Sequence, residues 1–445
     1  MSVYPPFSVF FVAAALLLFT VSFLNTDFGL YVLIFSMLLS PEFTVGSTSG
    51  SSLGRGVTIR VDDFLLLIIG LSWLAKNAYY KELGLFKKTS VNRPVSVYLL
   101  VCGIATGLGI LGGRVDASTG FFYVLKYFEY CIVYFMLLNH LENAEQIRKF
   151  LFCIFLTAFI VSLIAMMQIP DGGRVSAPFE GESGEPNTLG GYLLFIASLA
   201  GGILTKAEKG KNRLMLMMLL AVMFFPFIHT QSRSSYLAFI PSLFVLGYMT
   251  EKKGVVLSII LALFLVSPFI LPSVVKDRVL FTFLQPKESG QIKIGKVRID
   301  TSTSARLQSW IFAAQAWTKH RIFGYGVSGF RFVDAQFPRV LIETGIAGIL
   351  SFLWLLYALF RLASDTLQKL ETPYFIGITR GFIAGYAGLL FHAVGANTFI
   401  IVRIMEPFWF IAAIVAVLPE LEAGKNRSPG STEHGQIRIN PLYIR

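Results

Sequence analysis

Three arginines, Arg174, Arg233 and Arg306, carry the clearest chemical signal in the sequence. Arg174 sits in Gly-Gly-Arg-Val-Ser-Ala-Pro-Phe, Arg233 in Thr-Gln-Ser-Arg-Ser-Ser between two closely spaced apolar runs, and Arg306 at the start of a helix-forming stretch. A guanidinium is permanently charged and grips phosphate oxygens in a bidentate fork, which suits a diphosphate substrate at a membrane surface. A snorkelling arginine paired with a lipid headgroup is the plainer reading. It weighs least on Arg233, whose hairpin is too short to wander.

Carboxylates near these arginines are Glu180, Glu182, Glu185, Asp300, Asp334 and Glu343, most of them expected to be solvated loop residues. Asp334 and Glu343 flank the point where a long polar segment gives way to an apolar run, with Pro338 suited to the first helical turn. A carboxylate partly desolvated there has its proton affinity raised and can accept a proton from a sugar hydroxyl. Glu343 can equally pair with Arg339, one helical turn away. Within the apolar runs, Lys126 with Glu129 and Arg403 with Glu406 are spaced three apart, so each is expected to neutralise its partner as a structural pair. The histidines His140, His229, His320, His392 and His434 show no metal-ligand spacing, and no metal site is expected. Cys102, Cys131 and Cys153 all lie in apolar runs, away from any disulfide framework.

The elements that must position these residues are membrane spans. The chain has 445 residues, of which 55% are hydrophobic and 14% charged, with a mean hydropathy of +0.67. Soluble globular chains carry about 25% charged residues, so a soluble fold is excluded. Crossing the hydrocarbon takes about 20 apolar residues, and such runs recur along the whole sequence. The expected spans are 7–24, 28–39, 64–75, 97–112, 121–138, 150–167, 189–204, 214–228, 236–249, 255–271, 340–362, 377–394 and 399–418, about 12 or 13 in all. The first shows no basic region ahead of it and is not read as a cleaved signal peptide. The segment 28–39 is short enough to be re-entrant, which leaves the side of the N-terminus open. The expected fold is an all-α integral membrane protein divided into 1–169, 170–272, a large polar loop at 273–339, 340–419, and a tail at 420–445.

A net charge of +12 would suggest nucleic acid in a soluble protein. Here the basic residues cluster in every second loop: Lys81, Lys87, Lys88 and Arg93; Arg148 and Lys149; Lys206, Lys209, Lys211 and Arg213; Lys252 and Lys253; and the tail with Lys425 and Arg427. By the positive-inside rule these loops are cytoplasmic, which puts the loops of Arg174, Arg233 and 273–339 on the outer side. Membrane topology accounts for the charge, and no nucleic-acid partner is expected. The 273–339 loop is far longer than a connector needs and is expected to be functional. In it, Leu307, Trp310, Ile311, Ala314 and Trp317 fall at helical spacing behind Ser304 as an N-cap, predicting an amphipathic helix on the membrane surface or packed on the protein. Phe323 to Gly329 is a glycine-rich turn, weak by itself as a phosphate cradle.

Taken together, these residues resemble the O-antigen ligase and Wzy polymerase superfamily of bacterial envelope glycan assembly. The ordered set is Gly173-Arg174-Val175-Ser176, Glu185-Pro186-Asn187-Thr188-Leu189-Gly190-Gly191-Tyr192, Ser232-Arg233-Ser234, Arg306 with Trp310, Phe323-Gly324-Tyr325-Gly326, and Leu341-Ile342-Glu343-Thr344-Gly345-Ile346-Ala347-Gly348. The resemblance covers residues 170 to 360, and Arg60-Val61-Asp62-Asp63 also looks like the family. It implies a multi-pass protein of the bacterial inner membrane with its active loop periplasmic. It also implies a metal-independent glycosyltransferase without a cofactor, using an undecaprenyl-diphosphate-linked oligosaccharide donor. Its partners would be a lipid-linked acceptor, membrane lipids and, in some settings, a chain-length regulator. Arg233, Arg306 and Asp334 are expected to carry the chemistry. Arg174, Glu185, Asn187, Tyr325, Gln336, Arg339 and Glu343 are expected to contact substrate. Ligases usually place a His-Asn pair nine residues before the glutamate of the Glu-x-Gly signature, where this chain has Asp334 and Ala335. That departure favours a polymerase or another envelope glycan transferase. Ligation to lipid A core or another acceptor, and export of lipid-linked glycan, stay open as alternatives.

Overall fold

The computed structural model describes residues 5–45, 57–80, 87–180, 184–270, 272–294 and 297–426. Lys81, Glu182, Arg427 and His434 lie outside the described residues. Each expected apolar run forms a helix: α1 (Pro5–Leu24), α2 (Thr26–Leu39), α3 (Val61–Tyr79), α4 (Asn92–Leu111), α5 (Ala117–His140), α6 (Ala144–Met166), α7 (Pro186–Lys206), α8 (Lys211–His229), α9 (Arg233–Tyr248) and α10 (Lys253–Ile270). The large loop adds α11 (Ser273–Leu284) and α12 (Thr301–Trp317), and the chain continues through α13 (Gln336–Gln368), α14 (Pro373–Gly395) and α15 (Val402–Asn426). Among the described residues, two short antiparallel strand pairs accompany the helices: β1 (Glu42–Val45) with β2 (Val57–Arg60), and β3 (Lys293–Ile294) with β4 (Val297–Arg298).

The protein is an all-α integral membrane protein. Among the described residues, eight helices, α4 to α8 and α13 to α15, are long and apolar enough to cross a bilayer. Their outward faces carry large apolar side chains such as Leu100, Phe152, Met218 and Leu353, each 46% or more exposed. In water a belt of this kind would be a liability, whereas against lipid tails it costs nothing. Inside, α14 packs most extensively on α7 and α9. Close approach there depends on glycine, because a Cβ at Gly381 would lie 2.7 Å from the Leu199 Cα.

Helix alternation sorts the loops onto two faces. On one, Asp27 meets His140 at 2.7 Å, Lys87 meets Glu420 at 3.1 Å, and Lys206 and Arg380 both pair with Glu251. These are the basic loops. On the other face lie the described residues of the connections at 167–180, 229–233, 272–294, 297–335 and 396–401. α2 runs from Asp27 on the first face to Ser40 on the second, where the Ser40 hydroxyl donates to Asp62. It therefore passes between the faces and is not re-entrant.

Charge pairing within the bundle differs from the local expectation. Lys126 pairs with Asp63 of α3 at 3.3 Å and not with Glu129. Arg403 pairs with Glu42 at 3.2 Å, and Glu406 faces Arg60 at 3.6 Å. Arg403, 1% exposed, also donates to the carbonyls of Leu38, Ser40, Pro178 and Phe179. Three-residue spacing makes pairing possible on an isolated helix. When α3, α5 and α15 pack together, a neighbouring helix offers a closer partner, and a buried charge takes the best one available.

Candidate functional site

The site forms where the N-termini of α7 and α9 meet. Ser232 is the N-cap of α9, its hydroxyl accepting from the Ser235 amide at 3.2 Å, which sets Arg233 as the first helical residue. The same Ser232 hydroxyl donates to the Asn187 side-chain carbonyl at 2.7 Å, and the Asn187 amide donates to Glu185 at 3.2 Å. Glu185 and Asn187 thus stitch α7 to α9. Ahead of α9, the turn at Thr230 and Gln231 turns its carbonyls toward arginines, with Gln231 in the left-handed region at φ 48°. Arg174 donates through Nε to Thr230 O at 3.1 Å and through Nη2 to Gln231 O at 3.4 Å. Arg278 of α11 donates through Nε to the same Gln231 carbonyl at 3.1 Å.

Arg233 reaches the large loop. Its guanidinium donates to the Thr282 hydroxyl and to the Asp300 carboxylate, each at 2.7 Å. Arg306 donates to Asp334 at 3.0 Å. The four guanidinium groups feel one another. Partial burial pushes Arg174 down to about 10, and the positive charges of Arg278, Arg233 and Arg306 push the same way against Glu185. Arg278 is lowered first by burial and then by Arg233 and Arg306, with Asp300 opposing. Burial pushes the Asp300 carboxyl up, but Arg233 and hydrogen bonds from Thr303 together outweigh it and hold Asp300 below the usual carboxylate range. Arg174, Arg233 and Arg306 are therefore one electrostatic group, together with Arg278.

Asp334 lies at the edge of this group, its side chain 31% exposed and held by Arg306. Gln336, fully buried, accepts from the Phe399 amide at 3.0 Å through its side-chain oxygen. Arg339 and Glu343 face each other at 3.0 Å, 9% and 7% exposed, as the one-turn spacing allows. They are turned inward and pair with each other. Tyr325 is also engaged internally, donating to Ala316 O at 3.1 Å and stacking edge-on against His320.

The glycine-rich turn has a structural partner. α13 is broken at Gly345, φ 66°, and the main chain at 321–326 satisfies the groups the break frees. The amides of Tyr325 and Gly326 donate to Ile342 O and Glu343 O at 3.0 and 2.8 Å, and those of Ile346 and Ala347 donate to Arg321 O and Ile322 O. Two motifs that read as separate are one main-chain joint.

α12 is present but begins earlier than its expected cap. Asp300 is its N-cap position, and Ser304 lies buried inside the helix, its hydroxyl accepting from the Ile292 amide. The helix packs on the protein through Trp310, Ala313, Ala316 and Trp317, against Val333 and Ile342. Ile311 and Phe312, 55% and 48% exposed, face outward, so the apolar stripe turned to the protein is rotated from the expected one.

Sequence reasoning missed Arg278 and Asp300. Asp300 was expected to be solvated and is 1% exposed. Arg278 satisfies the criterion that picked out the other arginines. The loop, however, also holds Arg298, Arg321, Arg331 and Arg339, and spacing does not say which of them reach the turn at Gln231.

Fold and site together define a multi-pass helical membrane protein with an arginine-rich site where a long loop covers one face of the bundle. Residues 216–353 match the family model described as O-antigen ligase (Wzy_C), which supports the O-antigen ligase and Wzy superfamily read from the motifs. The family's chemistry is glycosyl transfer, with lipid-linked glycan substrates in a membrane. No curated protein matches the chain.

Proposed function

We propose that the protein polymerises oligosaccharide repeat units carried on a polyprenyl diphosphate, working at the outer face of the inner membrane. A hydroxyl of one lipid-linked oligosaccharide attacks the anomeric carbon of another. The bond from that carbon to the diphosphate oxygen breaks, the new glycosidic bond forms, and the hydroxyl proton passes to the Asp334 carboxylate. The diphosphate leaves with its bonding electrons, and Arg233 and Arg306 stabilise the charge that gathers on it. The observation that carries this reading is the electrostatic grouping of Arg174, Arg233, Arg278 and Arg306 beside Asp334 on the face opposite the basic loops. Four guanidinium groups exceed the two carboxylates, Asp300 and Asp334, that pair with them, a balance suited to an incoming diphosphate.

The test uses purified protein in nanodiscs with a synthetic lipid-diphosphate oligosaccharide and no ion gradient. Lengthened glycan on the lipid carrier is the expected product, whereas vectorial movement of intact donor without new linkages would assign an exporter. Glycan analysis of a deletion strain separates polymerase from ligase. Loss of a polymerase leaves a single capped repeat unit, and loss of a ligase leaves long polymer still on its carrier.

A further inference from the structure

Six ionisable residues far apart in the chain, Arg60, Asp62, Asp63, Lys126, Glu129 and Glu406, are gathered by the fold where α5 packs against both α3 and α15. Two cations there face four carboxyls. Arg60 pairs with Asp62 and lies 3.9 Å from Asp63, and Lys126 pairs with Asp63 at 3.3 Å. The surplus falls on Glu129 and Glu406, which are 8% and 0% exposed. Arg403, three residues before Glu406, does not make up the difference, because it pairs with Glu42 and donates to four main-chain carbonyls. Tyr130 of α5 offers no donor either, its hydroxyl being given to the Ile400 carbonyl at 2.8 Å.

Glu406 is the least provided for. Among the described residues neither of its oxygens accepts a hydrogen bond, although Arg60 Nη2 lies 3.6 Å from one of them. That same nitrogen is bonded to Asp62, whose other oxygen accepts from the Ser40 hydroxyl at 2.8 Å. Asp62 therefore has its donors and Glu406 has none, while the two carboxyls are in side-chain contact beside one guanidinium.

We propose that Glu406 and Asp62 share a proton at neutral pH and so form a buried proton-binding site between α15 and the start of α3. The proton sits on Glu406, whose hydroxyl donates to an Asp62 oxygen, and Asp62 keeps its negative charge for Arg60. An ionised carboxylate buried without a donor is costly, and two carboxylates in contact repel each other. One proton removes both costs. A bound metal ion would also balance the charge, but among the described residues no carboxylate group has the arrangement to hold one. The proton is the ligand that the site fits, and its presence does not depend on the glycan chemistry.

The test is infrared spectroscopy of the full chain in a detergent free of ester and carboxyl groups, at pH 8, where the Glu180 carboxyl is mostly ionised. The parent should show the carbonyl stretch of a protonated carboxyl, shifted by deuterium oxide. Absence of any such band in the parent overturns the proposal without a variant having to fold. The difference between parent and Glu406→Gln should contain that band, and Glu129→Gln should retain it. A difference holding only carboxylate bands, or loss of the Glu406 band in Glu129→Gln, places the proton elsewhere and overturns the site. Exchange of choline for sodium in the buffer separates a proton from a cation. A band present in choline and lost in sodium would assign a cation and overturn the proposal, whereas an unchanged band supports it. Glu406→Gln keeps the shape and neutrality of the protonated side chain and should melt like the parent. Melting as low as that of Glu406→Ala would show that the site holds a charged carboxylate, which also overturns it.

Discussion

Arg233 and Asp300 meet at 2.7 Å across 67 residues of chain, joining the first residue of α9 to the cap position of α12. A cation at a helix N-terminus faces the positive end of the helix dipole, and a carboxylate at the start of α12 faces an attractive one. One pair offsets the first and uses the second. With Asp300 1% exposed, it also anchors the loop to the bundle.

Removing that carboxylate leaves Arg233 without its partner in a mostly buried place. Asp300→Ala should destabilise the protein by on the order of 3 kcal/mol, the scale seen when one member of a buried pair is lost. Thermal unfolding in detergent measures this, and proteolysis within 285–300 should speed up. Unchanged melting and cleavage would remove the anchor role.

Arg233→Ala and Arg306→Ala should each slow transfer about a hundredfold or more, since one donor to a developing anion contributes roughly 3 kcal/mol. The measurement is glycan transfer from a synthetic donor by purified variants that melt like the parent. Wild-type glycan length in both would refute the assignment.

Asp334→Asn keeps size and polarity but cannot take the hydroxyl proton. Turnover should be lost while donor binding persists, a split read by single-turnover kinetics beside equilibrium binding. A variant with full turnover would exclude Asp334 as the base.

Gly345 holds φ 66° at the break in α13, where a Cβ would collide with the Ile322 carbonyl. Gly345→Ala should cost more than the ~1–2 kcal/mol of left-handed backbone alone and loosen the joint to residues 321–326. Hydrogen exchange at the amides of Tyr325 and Gly326, which bond across the joint, should rise in step with the loss of stability. Unchanged exchange at both amides in a destabilised variant would show that the joint does not depend on this backbone geometry.

Glu180 carries a pH signature. Partial burial raises its carboxyl from 4.5 to about 7, although Arg403 and the Glu185 amide oppose that shift. A carboxyl that binds its proton more tightly when folded makes stability fall as pH rises from about 4.5 to about 7, and leaves it flat outside that window. Glu180→Gln should remove the slope, read as melting temperature at pH 5 and pH 8. The same slope in parent and variant would place its origin elsewhere.

Helix type was legible in the sequence because a lipid-facing helix must be apolar over its whole length, a local property of the chain, whereas about 12 or 13 spans were expected and eight described helices are long and apolar enough to cross a bilayer. The motif arginines stood out for a different reason: a permanently charged side chain is costly near hydrocarbon. Partner choice was not legible. Lys126 chose Asp63 over Glu129, and Arg403 chose Glu42 with four carbonyls over Glu406, because neighbouring helices supplied closer groups than the same helix did. The stripe of α12 was misplaced for a related reason. The face it turns inward is set by packing of Ala313 against Val333 and Ile342, residues far along the chain that the local pattern around Ser304 does not contain.

The sequence by itself determined that this is a helical membrane protein, which loops share a face, and that arginines gather on the face opposite the basic loops. Hydrophobic length and charge alternation are read one segment at a time, and no packing is needed to see them. Only the tertiary structure decided that Arg174 and Arg278 share the Gln231 carbonyl, that Asp300 holds Arg233, and that the glycine turn completes the broken helix α13. Those relations depend on distances between segments far apart in the chain, and side-chain packing sets such distances.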